Sequence, residues 1–485
     1  MAEASLKNKT VNGVGWSATD AILGQGVTFL VGIVLARLLS PTEYGLIGII
    51  SIFIVVLNGV VDSGFANALI RKQDTTNDDY NTMFFTNLSF SILLYIGLFF
   101  CAPLIASFFE RAELVDLTRV MGLVLIINAL CHTQVTILTK EVDFKTKTKA
   151  SLTAAITSGI VGIALAYCGF GVWSLVAQQL TRQLLYAVCL WYFIKWVPTL
   201  SFSTASFKYM WGFGWKLLLS GLLNNIWNQL YQVVVGKFYS PATLGQYSRS
   251  REYANLLSMN FTTIIQRVSY PVLAELQDDQ ERMVNGYRKI IKMTMFVTAV
   301  SMISMGAVAE PLIYCLIGPQ WHEAATYLPL ICISLSLYPL HAINLNMLQV
   351  QGRSDLFLIL EIIKKAIAIG PLCLGIFIDI QWMLVGSIGH GIISFFLNSY
   401  YTGKTLQYSS WMQLRDIAPS YAVAFTIGIT VYFLKLLPIS YFIILPIQVL
   451  VGAGVGFAVC ELFKPSEYID LKSIIQDKIK IFRKH

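Results

Sequence analysis

The sequence predicts an all-α integral membrane protein, and three observations support that prediction. Hydrophobic residues make up 56% of the 485 residues and charged residues only 13%, and the mean hydropathy is +0.64. A soluble domain carries about 25% charged residues to keep its surface hydrated, so this chain has too little polar surface for a soluble particle. The apolar runs are continuous and do not alternate every second residue, which disfavours a transmembrane β-barrel.

Fourteen apolar runs reach the length of a transmembrane helix. Crossing the roughly 30 Å of hydrocarbon in a bilayer takes about 20 helical residues. The predicted spans cover residues 14–38, 44–62, 83–108, 114–138, 150–169, 171–194, 211–237, 252–274, 289–317, 324–349, 355–378, 380–401, 417–435 and 441–463. The sequence therefore predicts fourteen transmembrane helices.

The basic residues predict that both termini lie in the cytoplasm. With the N-terminus inside, the outward loops at 169–171, 318–323 and 379–380 contain no lysine or arginine. Basic residues concentrate in cytoplasmic loops, and an even number of spans returns the C-terminus to the cytoplasm. This asymmetry explains the net charge of +8. Because no basic–aromatic module is present, we expect no nucleic-acid partner.

Two stretches about 200 residues apart repeat one pattern. Gly13-Val14-Gly15-Trp16 opens the first span, and Gly212-Phe213-Gly214-Trp215 opens the seventh. A Ser-Pro motif ends each span, as Ser40-Pro41 with Gly45 and as Ser240-Pro241 with Gly245. Six spans separate the copies, so both enter the membrane from the same side. This predicts parallel repeats related by an axis along the membrane normal.

The repeat predicts the domain organisation and a mechanism. We expect an N-terminal six-helix lobe at 1–200, a second six-helix lobe at 201–405, an additional helix pair at 406–463 and a basic cytoplasmic tail at 464–485. Duplicated lobes suit alternating access to a substrate site between them. No P-loop, HExxH or GxSxG motif is present, so we expect transport, not catalysis, and no cofactor or metal. Apolar residues at helical spacing in the tail predict binding to the anionic inner leaflet, with a disordered tail as the alternative.

Polar residues recur every four positions in the seventh and eighth spans. Lys216, Ser220, Asn224 and Asn228 follow this spacing in the seventh span, and the eighth span contains Arg251 and Arg267 among several amides. A charge at membrane depth costs about 2.5 kcal/mol or more and usually faces a cavity or a partner. The stripes therefore predict an aqueous cavity, although hydrogen bonding between helices is the alternative explanation.

The charge balance of this cavity predicts an anionic substrate. The candidate substrate-binding residues are Lys216, Arg249, Arg251, Arg267, Lys364, Lys365, Asn224 and Asn228, and the candidate ion-coupling acids are Asp20, Asp62 and Glu361. Arginine forks and lysine ammonium groups bind phosphate well. The spacing of Glu361 also allows a purely structural ion pair with one of the two lysines that follow it. His341 and His390 lie in predicted spans and could titrate, but a structural role is the more common one.

Five stretches carry a resemblance to a known family. They are Ala36–Gly45, Asp62–Arg71, Leu244–Arg249, Tyr270–Asp278 and Gly318–Trp321. With these stretches in this order and spacing, the chain resembles the Wzx-type flippases, and particularly the group that includes the colanic acid exporter. These flippases are polysaccharide transporters of the multidrug/oligosaccharidyl-lipid/polysaccharide exporter superfamily. The resemblance covers residues 1–460.

The resemblance implies a substrate, partners and an architecture. The substrate would be an undecaprenyl-diphosphate-linked oligosaccharide, and the partners would be a polymerase and a chain-length regulator besides the membrane lipids. It implies a V-shaped pair of lobes similar to multidrug and toxin extruders, and coupling to a proton or sodium gradient. The alternatives are a multidrug exporter of organic cations, a flippase for lipid II and a non-transporting scaffold of a glycan-synthesis complex.

The predicted orientation can be tested by labelling single cysteines in an otherwise cysteine-free chain. A membrane-impermeant thiol reagent applied to intact cells should label Gln320→Cys, which lies in an outward loop. It should not label Thr146→Cys, which lies in a basic cytoplasmic loop. Labelling of position 146 in intact cells, with position 320 protected, would show that the topology is the inverse of the predicted one.

Overall fold

The computed structural model describes residues 15–16, 19–62, 64–276 and 279–482, and these residues are almost entirely helical. Two compact units divide the chain, Met1–Gly245 and Gln246–His485. The predicted all-α class is confirmed. The lobe boundaries predicted from the repeat stay a prediction. Gly13 and Val14 of the first repeated stretch lie outside the described residues, as do Gln277 and Asp278 at the end of the Tyr270–Asp278 stretch.

The first unit consists of helices α1 to α8 and the start of α9. A π-helical turn, Asp20–Gly24, precedes α1. The helices are α1 (Gln25–Leu38), α2 (Pro41–Asp62), α3 (Phe65–Arg71), α4 (Asn77–Phe109), α5 (Leu114–Glu141), α6 (Phe144–Tyr167), α7 (Val172–Phe193), α8 (Thr204–Phe238) and α9 (Pro241–Glu275). Helices α4 and α5 form one packed pair and α6 and α7 another, while α8 packs against α2, α3 and α4.

The second unit contains most of α9 and the remaining ten helices. They are α10 (Gln280–Ala307), α11 (Ala309–Leu316), α12 (His322–Ser336), α13 (Tyr338–Val350), α14 (Ser354–Ile367), α15 (Ile369–Phe377), α16 (Ile380–Leu406), α17 (Ser410–Leu434), α18 (Tyr441–Phe463) and α19 (Ser466–Phe482). Helix α10 packs against α12, α13 and α17, and α18 packs against α17 and α11. The hydroxyl of Ser250 on α9 donates to the carbonyl of Ala324 on α12 at 2.8 Å.

Three predicted spans are each divided into two consecutive helices. The breaks fall at Val308, at Leu337 and at Ala368. In each case a proline lies in the first turn of the second helix, as Pro311, Pro339 and Pro371. Proline has no backbone N–H and is tolerated in a first turn, where that group would lack a partner anyway. The prolines therefore explain why one apolar run becomes two helices.

Nine helical segments among the described residues are long and apolar enough to cross a membrane. They are Pro41–Arg71, Asn77–Phe109, Leu114–Glu141, Phe144–Tyr167, Gln280–Ala307, Pro319–Val350, Ile380–Leu406, Ser410–Leu434 and Tyr441–Phe463. Each of the other predicted spans falls on shorter, divided or more polar helices. The chain is thus a multi-pass membrane protein, and the number of fourteen spans stays a prediction.

Loops predicted to share a side of the membrane contact each other within the first unit. On the predicted cytoplasmic side, Lys140 Nζ donates to the carbonyl oxygen of Lys72 at 2.6 Å. On the predicted outer side, Lys237 pairs with Glu110 at 2.9 Å, and this hydrogen bond lowers the pKa of the Glu110 carboxyl. These contacts agree with loops that alternate between the two sides of the membrane. Which side is cytoplasmic stays a prediction.

The tail forms a helix that is tied to α10 by ion pairs. Lys289 Nζ lies 3.0 Å from Asp470, and Lys292 lies 3.9 Å from the buried Glu467. The predicted helical character of the tail is therefore confirmed for Ser466–Phe482, and the alternative of a disordered tail is wrong there. Binding of this helix to the inner leaflet stays a prediction.

The two copies of the Ser-Pro motif lie against each other reciprocally. A Cβ atom on Gly45 would overlap the carbonyl oxygen of Pro241, and a Cβ atom on Gly245 would overlap the carbonyl oxygen of Pro41. Only glycine allows such an approach of two backbones. The repeated glycine therefore has a packing role in both copies.

A glycine substitution at this contact should destabilise the protein. We expect Gly45→Ala to lower stability by about 1–3 kcal/mol, because the backbone at Pro241 has to move to accept the methyl group. Gly97→Ala is the matched control, since a Cβ atom at Gly97 meets no atom within 4 Å. Thermal unfolding of the purified protein, followed by size-exclusion chromatography, measures the difference. Equal midpoint temperatures of unfolding for the Gly45→Ala and Gly97→Ala variants would contradict the packing role of Gly45.

Candidate functional site

The polar stripe of the seventh predicted span lies on α8 and is exposed. Lys216, Ser220, Asn224 and Asn228 all have exposed side chains, and the Lys216 ammonium lies 5.9 Å from the centre of the Trp215 ring. The neighbouring Asn225 faces inward, where it lies against Gly59 of α2. Exposure of a lysine and two asparagines to hydrocarbon would be costly. Lys216 and Asn224 therefore require water or a polar ligand.

Asp20, one of the candidate coupling acids, lies in the π-helical turn before α1. Its charge interacts with Arg182 of α7, and also with the hydroxyl of Tyr186 one turn further along that helix. Both α7 side chains are half-buried. The charges of Asp20 and Arg182 therefore act on each other inside the first unit.

The arginines of α9 differ in their surroundings. Arg249 is buried and pairs with Glu252 one turn later, with Nη1 2.7 Å from Oε2. Arg251 is half-buried, and Arg267 is exposed. The pairing of Arg249 removes much of its positive charge from any ligand, whereas Arg267 extends its guanidinium beyond the helix surface.

Several candidates of the second unit converge around Tyr338. The phenol at the start of α13 lies within range of the charges of Glu361 on α14 and Arg251 on α9. Glu361 in turn pairs with Lys364. The ion pair that the spacing of α14 allowed is therefore present, and the charges of Glu361 and Arg251 both act on the Tyr338 hydroxyl.

The two histidines lie beside this charge cluster. His390 Nε2 is 3.0 Å from the carbonyl oxygen of Lys364 and 3.4 Å from the hydroxyl of Ser394. The charge of Lys364 also acts on His341. Both histidines thus contact or face a lysine, and His390 links α16 to the end of α14.

Two of the predicted site residues contribute less to the described geometry of the site. Asp62 is the last residue of α2, and its side chain lies outside the described part of the chain. Lys365 is half-buried on α14. The candidates that the structure brings together are therefore Asp20 in the first unit, with Arg182, and Arg251, Glu361 and Lys364 in the second.

Sequence reasoning missed two arginines within the predicted spans. Arg182 lies midway along an apolar run, and this position alone was a signal, because a charge at that depth needs a partner. Arg119 on α5 is the second, and its guanidinium lies 4.3 Å from the centre of the Phe99 ring. The partner of each arginine comes from another helix, so only the tertiary structure identifies it.

Comparison with curated proteins identifies biosynthesis proteins, one of them named as a transport protein, as relatives. The chain is 25% identical over 331 residues to the succinoglycan biosynthesis transport protein ExoT of Rhizobium meliloti (strain 1021), covering 68% of this chain and 67% of the relative. It is 24% identical to the teichuronic acid biosynthesis protein TuaB of Bacillus subtilis (strain 168), covering 73% of each. It is 22% identical to the lipopolysaccharide biosynthesis protein WzxC of Escherichia coli (strain K12), covering 88% of this chain and 89% of the relative.

Solved structures show the same fold. The inward closed conformation of the lipid II flippase MurJ superimposes with a TM-score of 0.71 at 16% identity, covering 95% of this chain and 99% of that one. An inward-facing multidrug resistance MATE family transporter of the MOP superfamily superimposes with a TM-score of 0.60 at 16% identity, covering 80% and 99%. The resemblance derived from the sequence motifs is thus confirmed.

The profile of a family described as "Polysaccharide biosynthesis protein" matches residues 34–326. The matched region begins in α1 and ends in α12, so it includes both copies of the Ser-Pro motif and the exposed polar faces of α8 and α9. Because this match covers more than half of the chain, the protein belongs to the polysaccharide biosynthesis protein family.

Proposed function

We propose that the protein is an inner-membrane flippase that moves an undecaprenyl-diphosphate-linked oligosaccharide from the cytoplasmic to the outer leaflet by alternating access. The observation that carries the proposal is the exposure of Lys216 and Asn224 on α8, a helix of a multi-pass membrane protein, with the exposed Arg267 on α9 as a separate observation. A lipid-linked sugar offers partners for both kinds of side chain. Its diphosphate suits lysine and arginine, and its hydroxyl groups suit asparagine.

The charge balance favours an anionic substrate. Lys216 and Arg267 are exposed, and no carboxylate among the described residues pairs with either of them. Arg249 and Lys364 have carboxylate partners, so we assign them to the support of the site and not to first contact with the diphosphate. An exporter of organic cations would need unpaired carboxylates at such positions, because two exposed cations repel a cationic drug.

The relatives support the same substrate class. Their names place them in the biosynthesis of succinoglycan, teichuronic acid and lipopolysaccharide, all of which are surface polysaccharides. We extend this role to the present chain, with a polymerase and a chain-length regulator as proposed partners and both termini in the cytoplasm. Transport driven by an ion gradient, without a catalytic step, completes the proposal.

Loss of an exposed cation should impair glycan export. Lys216→Ala and Arg267→Ala should each weaken substrate binding roughly tenfold or more, because a charge-assisted hydrogen bond contributes about 1.5–3 kcal/mol. Arg251→Ala should act in the same direction, and Arg267→Lys should retain part of the activity because the charge remains. The measurement is surface polysaccharide per cell, normalised to the amount of transporter in the membrane.

Lys145→Ala is the control for these substitutions. Lys145 lies in a predicted cytoplasmic loop, with its ammonium 5.7 Å from the centre of the Trp16 ring, and its removal should leave export unchanged. Normal export by the neutral variants of all three cavity cations, at normal abundance, would refute the anionic-substrate mechanism.

Ion coupling should depend on an acid of the site. We expect Glu361→Gln or Asp62→Asn to abolish gradient-dependent export while leaving the protein in the membrane, because each removes a group that can bind a proton or sodium ion. Glu281→Gln, an exposed acid in the first turn of α10, is the control. Export is measured in vesicles with and without an imposed gradient. If both variants respond to the gradient as the wild type does, neither acid is the coupling site.

A further inference from the structure

A cleft of about 400 Å³ lies where the end of α3 meets the start of α8, apart from the polar faces described above. Its lining residues are Arg71, Lys72, Gln73, Asp74, Tyr209 and Phe213. This volume lies within the roughly 300–1,000 Å³ of ordinary ligand sites. All of these residues belong to the first unit. All but Phe213 fall in segments that the basic-residue pattern predicts to be cytoplasmic, and Phe213 lies at the start of the predicted seventh span.

Aromatic rings position the two cations of the cleft. The Arg71 guanidinium lies 5.4 Å from the centre of the Phe213 ring, and the Lys72 ammonium lies 5.6 Å from the centre of the Tyr209 ring. Such contacts hold a flexible cation in place without neutralising its charge. The donors of the guanidinium fork therefore remain available to a ligand.

The surrounding loop is held rigidly by hydrogen bonds. Lys140 Nζ donates to the carbonyl oxygen of Lys72 at 2.6 Å and to the hydroxyl of Thr75. Lys72 also pairs with the fully buried carboxylate of Asp79 at 2.7 Å. The loop after α3 thus keeps its shape independently of any ligand.

The charges of the cleft leave one arginine for a ligand. Lys72 is neutralised by Asp79, and the acid in the lining, Asp74, is exposed. Arg71 is exposed, and no carboxylate among the described residues forms an ion pair with it. An arginine fork with a free charge, held over an aromatic ring in a preformed cleft, is suited to a phosphate group.

We propose that this cleft binds a phosphate ester at the cytoplasmic surface of the membrane, with Arg71 as the principal ligand. The phosphate has two sources, the headgroup of an anionic phospholipid or the diphosphate of the lipid-linked oligosaccharide. The diphosphate as a source rests on the proposed function. In that case the cleft is where the lipid-linked oligosaccharide first binds, before it reaches α8 and α9. In either case the site recognises a phosphate, not a sugar.

The test is the binding of inorganic pyrophosphate to the full-length protein in detergent, measured by calorimetry. All variants carry Lys216→Ala and Arg267→Ala, so that the cations of α8 and α9 do not contribute. Adding Arg71→Ala should weaken binding at least tenfold, and Arg71→Lys and Phe213→Leu should weaken it less. Arg282→Ala is the matched control, because Arg282 is an exposed arginine of the same predicted side whose partner is Asp279, and it should leave binding unchanged.

Two results would overturn the proposal. One is an unchanged affinity in the Arg71→Ala variant. The other is an equal loss in the Arg71→Ala and Arg282→Ala variants, which would mean that pyrophosphate responds to general surface charge. Neither result concerns export, so the proposed function would stand. Conversely, normal export by the α8 and α9 variants would refute the anionic-substrate mechanism and would not alter the pyrophosphate result.

The two sources are separated by competition in membranes. The same protein is reconstituted in vesicles of phosphatidylcholine alone or with phosphatidylglycerol. Reduced pyrophosphate binding in phosphatidylglycerol assigns the cleft to a lipid headgroup. Reduced binding only when a polyprenyl-diphosphate oligosaccharide is added assigns it to the substrate, and a lack of competition by both refutes a site for membrane phosphate esters.

Discussion

The cost of leaving a polar or charged group without a partner in hydrocarbon governs this structure. Backbone groups satisfy that requirement within helices, which is why the described residues are almost entirely helical. Side chains satisfy it with one another. Arg288 and Asp416 form a two-bond pair, with N–O distances of 2.8 and 3.0 Å, and Tyr408 donates to the same carboxylate at 2.6 Å. Charged side chains that lack such a partner are therefore the candidates for ligand binding.

Cations that pair with a carboxylate have a structural role, whereas cations without a carboxylate partner can bind a ligand. Arg249, Lys364 and Lys72 each have a carboxylate within their own helix or the adjoining turn. Lys216 and Arg71 instead contact aromatic rings, which restrain a cation but leave its charge in place. The sequence alone does not make this distinction, because all five residues are basic positions near the ends or in the middle of apolar runs.

Much of the fold could be predicted from hydrophobicity and charge, and the divisions of helices could not. The fourteen predicted spans all coincide with a helix or with consecutive helices, since length and apolar content determine where a helix can cross. The breaks at Val308, Leu337 and Ala368 leave the average hydrophobicity unchanged, so a search for apolar runs passes over them. A proline in each following turn was the available signal.

The candidate site was predictable only as far as local spacing extends. The four-residue spacing on α8 predicted an exposed polar face, and the positions of Glu361 and Lys364 predicted their pair. The partner of Asp20 is Arg182, more than 160 residues away in the chain. The approach of Arg251 to Tyr338 likewise joins distant helices. Long-range partners of this kind depend on how helices pack, and a single sequence contains no direct signal for them.

The repeat connects the sequence pattern to the packing. The motif predicted two equivalent helix ends, and the structure adds that each glycine makes room for the proline carbonyl of the other copy. A reciprocal contact follows if the two copies are related by a two-fold operation, because residue i of one then meets residue j of the other in both directions. The cleft at Arg71 combines residues of both copies. Helix α3 of the first copy supplies the arginine, and α8, which opens the second copy, supplies the aromatic ring that holds it in place.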